Sequence, residues 1–328
     1  MPEALTYRLF EERDLPSLLR LWEEAGWGVL TEQQWREWYV ETPHGACLIS
    51  VGVDDEGEIA AQEIFTPARL VVDEREVRAL RLSVPILRKG VRRESLRSPD
   101  HPVINLYLTG IEAAAAQGYG VVYALPEHGW LPFFRWGPRS GVPNFFFVNA
   151  EFDCLARPVA PGGCASVKSD RFYARPANDF NGEYEALWEA AVKEFPLVCG
   201  VRRDAAWLRF RNGGRITVEV RDGRDDSLAG YAAIRKKDGL VADFLARHPR
   251  DVSSVLAATV NLVAESQNNL SSPLETLKLM RTPLISAAAQ GLGFTPTDYK
   301  FAFVCKSLDD SVGTEAIAAE RWHIMPGD

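Results

Sequence analysis

Apolar positions recur at helical and strand periods in the same order twice along the chain. Leu15, Leu18, Leu19, Trp22 and Ala25 follow Asp14 at helical spacing, which predicts an amphipathic helix with Asp14 as N-cap and Gly26 as its stop. Cys47 to Val53, Glu58 to Leu70 and Val77 to Val84 are β-rich runs. The polar stretches Asp54-Asp55-Glu56-Gly57 and Asp73-Glu74-Arg75-Glu76 between them predict an antiparallel meander. A helix over Val103 to Gln117 and a strand over Val121 to Leu125 come next, and that strand can lie parallel to its predecessor through a right-handed crossover.

The second half repeats the order. Asn181 caps a segment with Tyr184, Leu187, Trp188, Ala191 and Phe195 on one face, ended by Pro196. Strands are predicted over Ile216 to Arg221, Leu228 to Arg235 and Leu240 to Leu245, with Lys237-Asp238-Gly239 as a hairpin turn. A helix over Val252 to Ala264 and a strand over Thr276 to Met280 close the pattern. Between the halves, Ala156 to Ser166 is rich in Pro, Gly and small residues. The expected organisation is therefore a domain over 1–155, a linker over 156–168 and a domain over 169–328. The matching stretches Ala114 to Gly120 and Ala287 to Gly293 sit before and after their respective strands, so they reflect helix-end chemistry and not a repeat.

Length agrees with two cores, since 328 residues exceed what one usually organises. A hydrophobic content of 46% excludes a disordered or collagen-like chain. The formal charge of -8 argues against general nucleic-acid binding. No run approaches the roughly 18 to 20 apolar residues of a membrane span, and Met1-Pro2-Glu3-Ala4 does not open a signal peptide, so a cytoplasmic protein without membrane attachment is expected. Five scattered cysteines, with no Cys-x-x-Cys pair and no clustered histidines, indicate neither a disulfide framework nor a metal site.

Several ordered segments resemble the GCN5-related N-acetyltransferase (GNAT) superfamily, in a tandem arrangement covering nearly the whole chain. They are Tyr7-Arg8-Leu9 with Asp14-Leu15 and Leu18-Leu19, Asp55-Glu56-Gly57-Glu58-Ile59, and Phe133-Phe134-Arg135-Trp136-Gly137. In the second half they are Leu228-Ala229-Gly230-Tyr231 with Ile234-Arg235, Val241 to Leu245, Gly291-Leu292-Gly293-Phe294, and the closing Trp322 to Asp328. The resemblance implies an α/β fold of the α+β kind. Each domain would have a mixed, mostly antiparallel central sheet with flanking helices and a splayed parallel strand pair. It also implies transfer of an acyl group from acetyl-CoA or another acyl-CoA to an amine, with the pyrophosphate on N–H groups at a helix N-terminus.

The family's cofactor loop reads Gln or Arg, two residues, Gly, one residue, then Gly or Ala; here both halves depart from it. The N-terminal half has Leu87-Arg88-Lys89-Gly90-Val91-Arg92, followed by Arg97-Ser98-Pro99-Asp100-His101-Pro102 before the helix. The C-terminal half has Ala246-Arg247-His248-Pro249-Arg250-Asp251 and no Gly. Arg88, Lys89, Arg92, Arg93 and Arg97 concentrate five cations in ten residues of an acidic chain. With Val84 and Gly90 they are the candidate cofactor-binding residues, a solvated strand end being the alternative. The N-terminal half is favoured as the ligand-bearing one.

Acylation of an amine needs a base for the ammonium proton and an acid for the departing thiolate. Glu127 and His128 follow the strand ending Leu125-Pro126, and an unperturbed imidazole suits proton transfer near neutrality. Glu63 lies in a central strand beside Gln62, and one of these neighbours must face each side of the sheet. Tyr123 and Tyr107 are candidate acids, with packing as their alternative role. Aromatic residues from Trp130 to Phe147 suit core packing or an apolar wall. No Gly-x-Ser-x-Gly elbow, Rossmann fingerprint or Walker loop occurs. Three functions stay open: an acyl-CoA-dependent N-acyltransferase acting on a small-molecule amine, a tandem transferase fed by aminoacyl-tRNA or an acyl carrier protein, and a non-catalytic ligand-binding or partner protein. A homodimer is compatible with each.

Overall fold

A computed structural model describes residues 4–83, 85–91, 101–130, 134, 148–159, 171–177, 179–195, 199–266 and 273–328. The chain forms two compact units: Met1–Ala150 with Ala302–Ala319, and Glu151–Phe301 with Glu320–Asp328.

Unit 1 opens with β1 (Thr6–Leu9), α1 (Leu15–Glu24) and α2 (Glu32–Tyr39). Then come β2 (Leu48–Val53), β3 (Ile59–Val72), β4 (Arg75–Leu82), the short β5 (Ile86–Leu87), α3 (Pro102–Ala116) and β6 (Val121–Ala124). β1 to β4 form the expected antiparallel meander. The β3–β4 loop is only Asp73-Glu74, closed by the pair Val72↔Arg75, with φ of 46° and 65°. Two left-handed residues give a turn whose twist matches the flanking strands.

Strand alternation sends successive β3 side chains to opposite faces. Ile64 joins Leu18, Leu21 and Trp22 of α1, Trp35 of α2, and Ile49 and Val51 of β2 in one cluster. Phe65 joins the α3 cluster with Ile104, Tyr107 and Ile111. Gly110 lets α3 pass over Phe65, since a Cβ there would lie 2.2 Å from the ring.

Two local details differ from the sequence reading. Asp14 does not cap α1; its carboxylate binds Arg8 at 2.6 and 2.8 Å and accepts from the Glu11 N–H at 2.8 Å, closing the turn ahead of the helix. The unanticipated α2 carries a capping box, with Thr31 Oγ1 accepting from the Gln34 N–H at 3.2 Å and Gln34 Oε1 from the Thr31 N–H at 3.1 Å.

Unit 2 contains β7 (Val148–Pro158, from Glu151), β8 (Phe172–Pro176), α4 (Gly182–Glu194), β9 (Cys199–Val201), α5 (Ala205–Asn212), β10 (Ile216–Asp222), β11 (Leu228–Ile234), β12 (Val241–Ala246), α6 (Val252–Glu265), β13 (Thr276–Met280) and α7 (Ser286–Gly291). β8, β10, β11 and β12 form an antiparallel sheet. Asn181 caps α4 through the Glu183 N–H at 2.9 Å. β7 extends to Pro158, so residues 156–158 are strand where a linker was expected.

β13 was expected beside its predecessor, but only the bridge Leu240↔Lys278 joins that pair. β13 instead runs antiparallel to β7, Thr276–Met280 against Cys154–Pro158. The chain continues into β14 (Thr295–Ser307) and β15 (Trp322–His323). Val304–Ser307 of β14 pairs antiparallel with β6 in unit 1, and β15 pairs parallel with β9 in unit 2. Among the described residues no helix is long and apolar enough to cross a membrane.

Candidate active site

In unit 1 the β3–β4 register runs from Val72↔Arg75 to Phe65↔Leu82, then resumes on β5 at Gln62↔Ile86. Glu63 and Ile64 therefore lie between the two paired stretches, where the Ser83 N–H donates to Ile64 O at 2.9 Å. On its other edge β4 pairs parallel with β6 only over Ala79↔Val121, Leu80↔Val122 and Arg81↔Tyr123. Beyond that pair the two strands part. A cavity of about 260 Å³ opens there, walled by Arg81, Leu82, Ser83, Pro85 and Ile86 on one side and Ala124, Leu125 and Pro126 on the other. Val103 of α3, Trp130 and Phe134 complete that end, and Trp22, Trp27, Tyr39, Gln62, Glu63 and Ile64 form the rest.

Glu63 is the only carboxylate among the described residues of this lining. It is 2% exposed, and burial pushes its pKa well above the ordinary carboxylate value. Its Oε2 has no hydrogen-bond partner among the described residues, and the same holds for both polar atoms of Gln62 and for Nε1 of Trp22. Burial, and after it the nearby Glu63 charge, pushes the Tyr107 hydroxyl well up, so it stays protonated. The lining thus combines an apolar wall with a titratable carboxyl and unfilled hydrogen-bonding capacity, the usual make-up of a small-molecule site.

The other candidates from the sequence fall as follows. Tyr123 is fully buried on β6 between Arg81 and Cys305 and does not line the cavity. Glu127 is exposed and lies outside the lining. His128 begins a short turn, His128–Trp130, and its side chain lies outside the described residues. So do Val84, Arg92, Arg93 and Arg97. Arg88 binds the buried Asp54 at 2.8 Å; burial pushes the Asp54 carboxyl up, but Arg88 together with the Glu58 and Glu56 N–H groups holds it below its ordinary value. Lys89 and Gly90 are exposed beside it. Trp22, Tyr39 and Arg81 were not singled out as site residues. An arginine inside the apolar run Ala79-Leu80-Arg81-Leu82 was the available signal for the last.

The N-terminus of α3 is self-satisfied. Pro102 has no N–H, Val103 N–H donates to His101 Nδ1 at 3.2 Å, and the Ile104 and Asn105 N–H groups reach His101 O at 2.9 and 3.3 Å. A phosphate could not take those donors without displacing His101.

In unit 2, β12 is an edge strand of the four-stranded sheet. Segment 322–328 runs along β12, with Gly327 N–H donating to Ala242 O at 2.6 Å and His323 Nε2 at 3.1 Å from Phe244 O. Trp322 to Met325 and Asp328 are buried. Fully buried Arg203 holds the segment, binding Asp328 at 2.9 Å and Asp243 of β12 at 3.0 Å.

A strand pair that parts around a cavity, beside a meander with helices on both faces, can be compared with known architectures. No protein-family model matches the chain, and no curated protein matches its sequence. Solved structures do match. A GCN5-related N-acetyltransferase from Anabaena variabilis aligns with a TM-score of 0.63 at 12% identity, over 93% of this chain and 73% of that one. A conserved protein of Enterococcus faecalis, described as a probable N-acyltransferase, aligns with a TM-score of 0.63 at 11% identity, over 91% and 72%. N-myristoyltransferase of Saccharomyces cerevisiae with bound myristoyl-CoA aligns with a TM-score of 0.57 at 9% identity, over 93% and 83%. The chain has the GNAT fold. At such identities the likeness carries architecture alone, and the chemistry of the cavity in unit 1 rests on its own residues.

Proposed function

We propose that unit 1 is an N-acyltransferase that moves an acyl group from an acyl-CoA thioester to the nitrogen of a small-molecule amine, with Glu63 as general base. The observation that carries this reading is the parting of β4 and β6 after Arg81↔Tyr123 around a cavity lined by the buried Glu63, whose Oε2 has no hydrogen-bond partner among the described residues. The yeast enzyme of the same fold holds myristoyl-CoA, which supports a CoA thioester as donor.

The Glu63 carboxylate takes one proton from the incoming ammonium, leaving a neutral amine. The nitrogen lone pair forms the C–N bond at the thioester carbonyl, and the C–S bond breaks with its electron pair leaving on sulfur. The second proton lost by nitrogen ends on that thiolate, giving the free thiol and an amide. A buried carboxyl with an elevated pKa is a stronger base than a solvated one, and so suits an ammonium donor better.

One working site is proposed, in unit 1, within a tandem of two copies of the fold. In unit 2 the edge of β12 that an incoming pantetheine would pair with is taken by residues 322–328. The test is calorimetry with CoA and acetyl-CoA, alongside thiol release on adding amines. One CoA per chain and amine-dependent thiol release are expected; no heat with any short acyl-CoA overturns the reading.

A second reading has its own support. Because α3 has no open N–H groups in its first turn, the donor could be an acyl group on a carrier protein, whose pantetheine lacks the CoA nucleotide. Saturable binding of an acylated carrier with no heat from CoA would favour it. For CoA itself, the proposed anchor is the basic segment from Arg88 to Arg97, with Lys89 as the exposed cation among its described residues.

A further inference from the structure

We propose that the acceptor is a monoamine carried on an apolar, ring-sized body, selected by Trp22 and Gln62; this deepens the acyltransferase reading of the same cavity and rests on it. Three observations point to that class. The first is the wall: Trp22 and Tyr39 stand with ring centroids 5.9 Å apart, and Trp22 and Trp27 meet edge-on at 6.0 Å. All three line the cavity together with Trp130 and Phe134. Aromatic faces stabilise both an apolar ring and an adjacent ammonium.

The second is hydrogen bonding. Gln62 is 0% exposed, and neither its Nε2 nor its Oε1 is partnered among the described residues; Trp22 Nε1 is likewise unpartnered. Unpaired buried polar groups destabilise the empty site, so a ligand that supplies their partners binds tightly. Gln62 Oε1 can accept from the amine N–H, while Gln62 Nε2 and the Trp22 indole N–H can donate to one acceptor atom on the ligand.

Charge is the third. Among the described lining residues Glu63 is the single carboxylate and Arg81 the single cation. A second ammonium group would be desolvated with no carboxylate to meet it and with a guanidinium nearby. Polyamines and amino sugars are therefore disfavoured, the latter because their hydroxyls would face the aromatic wall.

The experiment compares kcat/KM for 2-phenylethylamine and tryptamine with that for spermidine and glucosamine, acetyl-CoA being the donor. Binding of each amine to the full chain without donor is followed by tryptophan fluorescence. The ring amines are expected to lead by at least about tenfold, a difference of 1.4 kcal/mol in transition-state binding. Gln62→Leu removes an unpaired buried amide and should fold at least as stably as the parent, while raising KM for 2-phenylethylamine about tenfold with kcat little changed. Trp22→Leu should raise KM in the same way. Spermidine or glucosamine turning over as well as the ring amines overturns the inference, as does an unchanged KM in Gln62→Leu. Ring amines that quench the fluorescence saturably without thiol release would leave this inference standing and remove the acyltransferase reading.

Discussion

Gln62 and Glu63 are neighbours on β3 that lie on opposite faces of the sheet, yet both reach one cavity. The β3–β4 pairing stops at Phe65↔Leu82 and β4 parts from β6 beside it, which opens the sheet at this point, so the cavity spans its thickness. Gln62 shares its side with the α1–α2 aromatics, and Glu63 shares its side with Tyr107 of α3. Such a division lets one face hold the acceptor body while the other supplies the base.

Glu63→Gln should lower kcat by about 10²–10⁴-fold, the range for a lost general base. It should also stabilise the protein at neutral pH. The folded pKa lies above the unfolded one, so the carboxyl contributes stability below the unfolded value, near 4.5, and that contribution is lost as pH rises through the folded pKa. Melting curves of parent and variant should coincide near pH 4 and separate by pH 8, the variant melting higher. A parent that melts higher at pH 8 would contradict the burial argument.

The acid limb of kcat/KM should lie well above the ordinary carboxylate range, because the base must lose its proton before it can act. In Glu63→Gln the residual rate should lose this limb. A limb in the ordinary carboxylate range in the parent would remove Glu63 as the base.

Much of this architecture was legible in the sequence. The meander, α3, β6 and the second-half strands follow from periodicity and turn residues that lie close in the chain. The strand that closes unit 1 was not legible, because Val304–Ser307 reaches β6 from nearly two hundred residues away, and pairing at that distance leaves no local pattern. α2 was missed although Thr31 and Gln34 spell a capping box, since only one of its side chains, Trp35, is buried and its apolar stripe is short. For the site, alternation identified Glu63 and Gln62 as a pair facing two ways. Nothing local could show that both would meet in one cavity.

Arg88 and Lys89 should separate when replaced. Arg88→Ala leaves the buried Asp54 without its cation and should cost about 1–2 kcal/mol of stability. Lys89→Ala should leave stability within about 0.5 kcal/mol and weaken CoA binding by several-fold, increasingly at low salt. Chemical denaturation and calorimetry read the two effects. Loss of CoA affinity in Arg88→Ala with no loss of stability would move the guanidinium from its structural role to the ligand.

Gly327→Ala tests the self-filled edge of unit 2. A Cβ at this position would lie 2.5 Å from Ala242 O, which is backbone and cannot swing away. The segment must therefore shift, loosening the Gly327–Ala242 hydrogen bond and the Asp328–Arg203 pair beyond it. Overpacking of this kind costs about 1–3 kcal/mol, and hydrogen exchange should rise along β12 and segment 322–328. Because the cavity of unit 1 is built from other residues, CoA affinity and turnover per folded molecule should stay within about twofold of the parent. A second equivalent of CoA bound by Gly327→Ala would mean that segment 322–328 covers a working cleft; unchanged stoichiometry would mean that it replaces one.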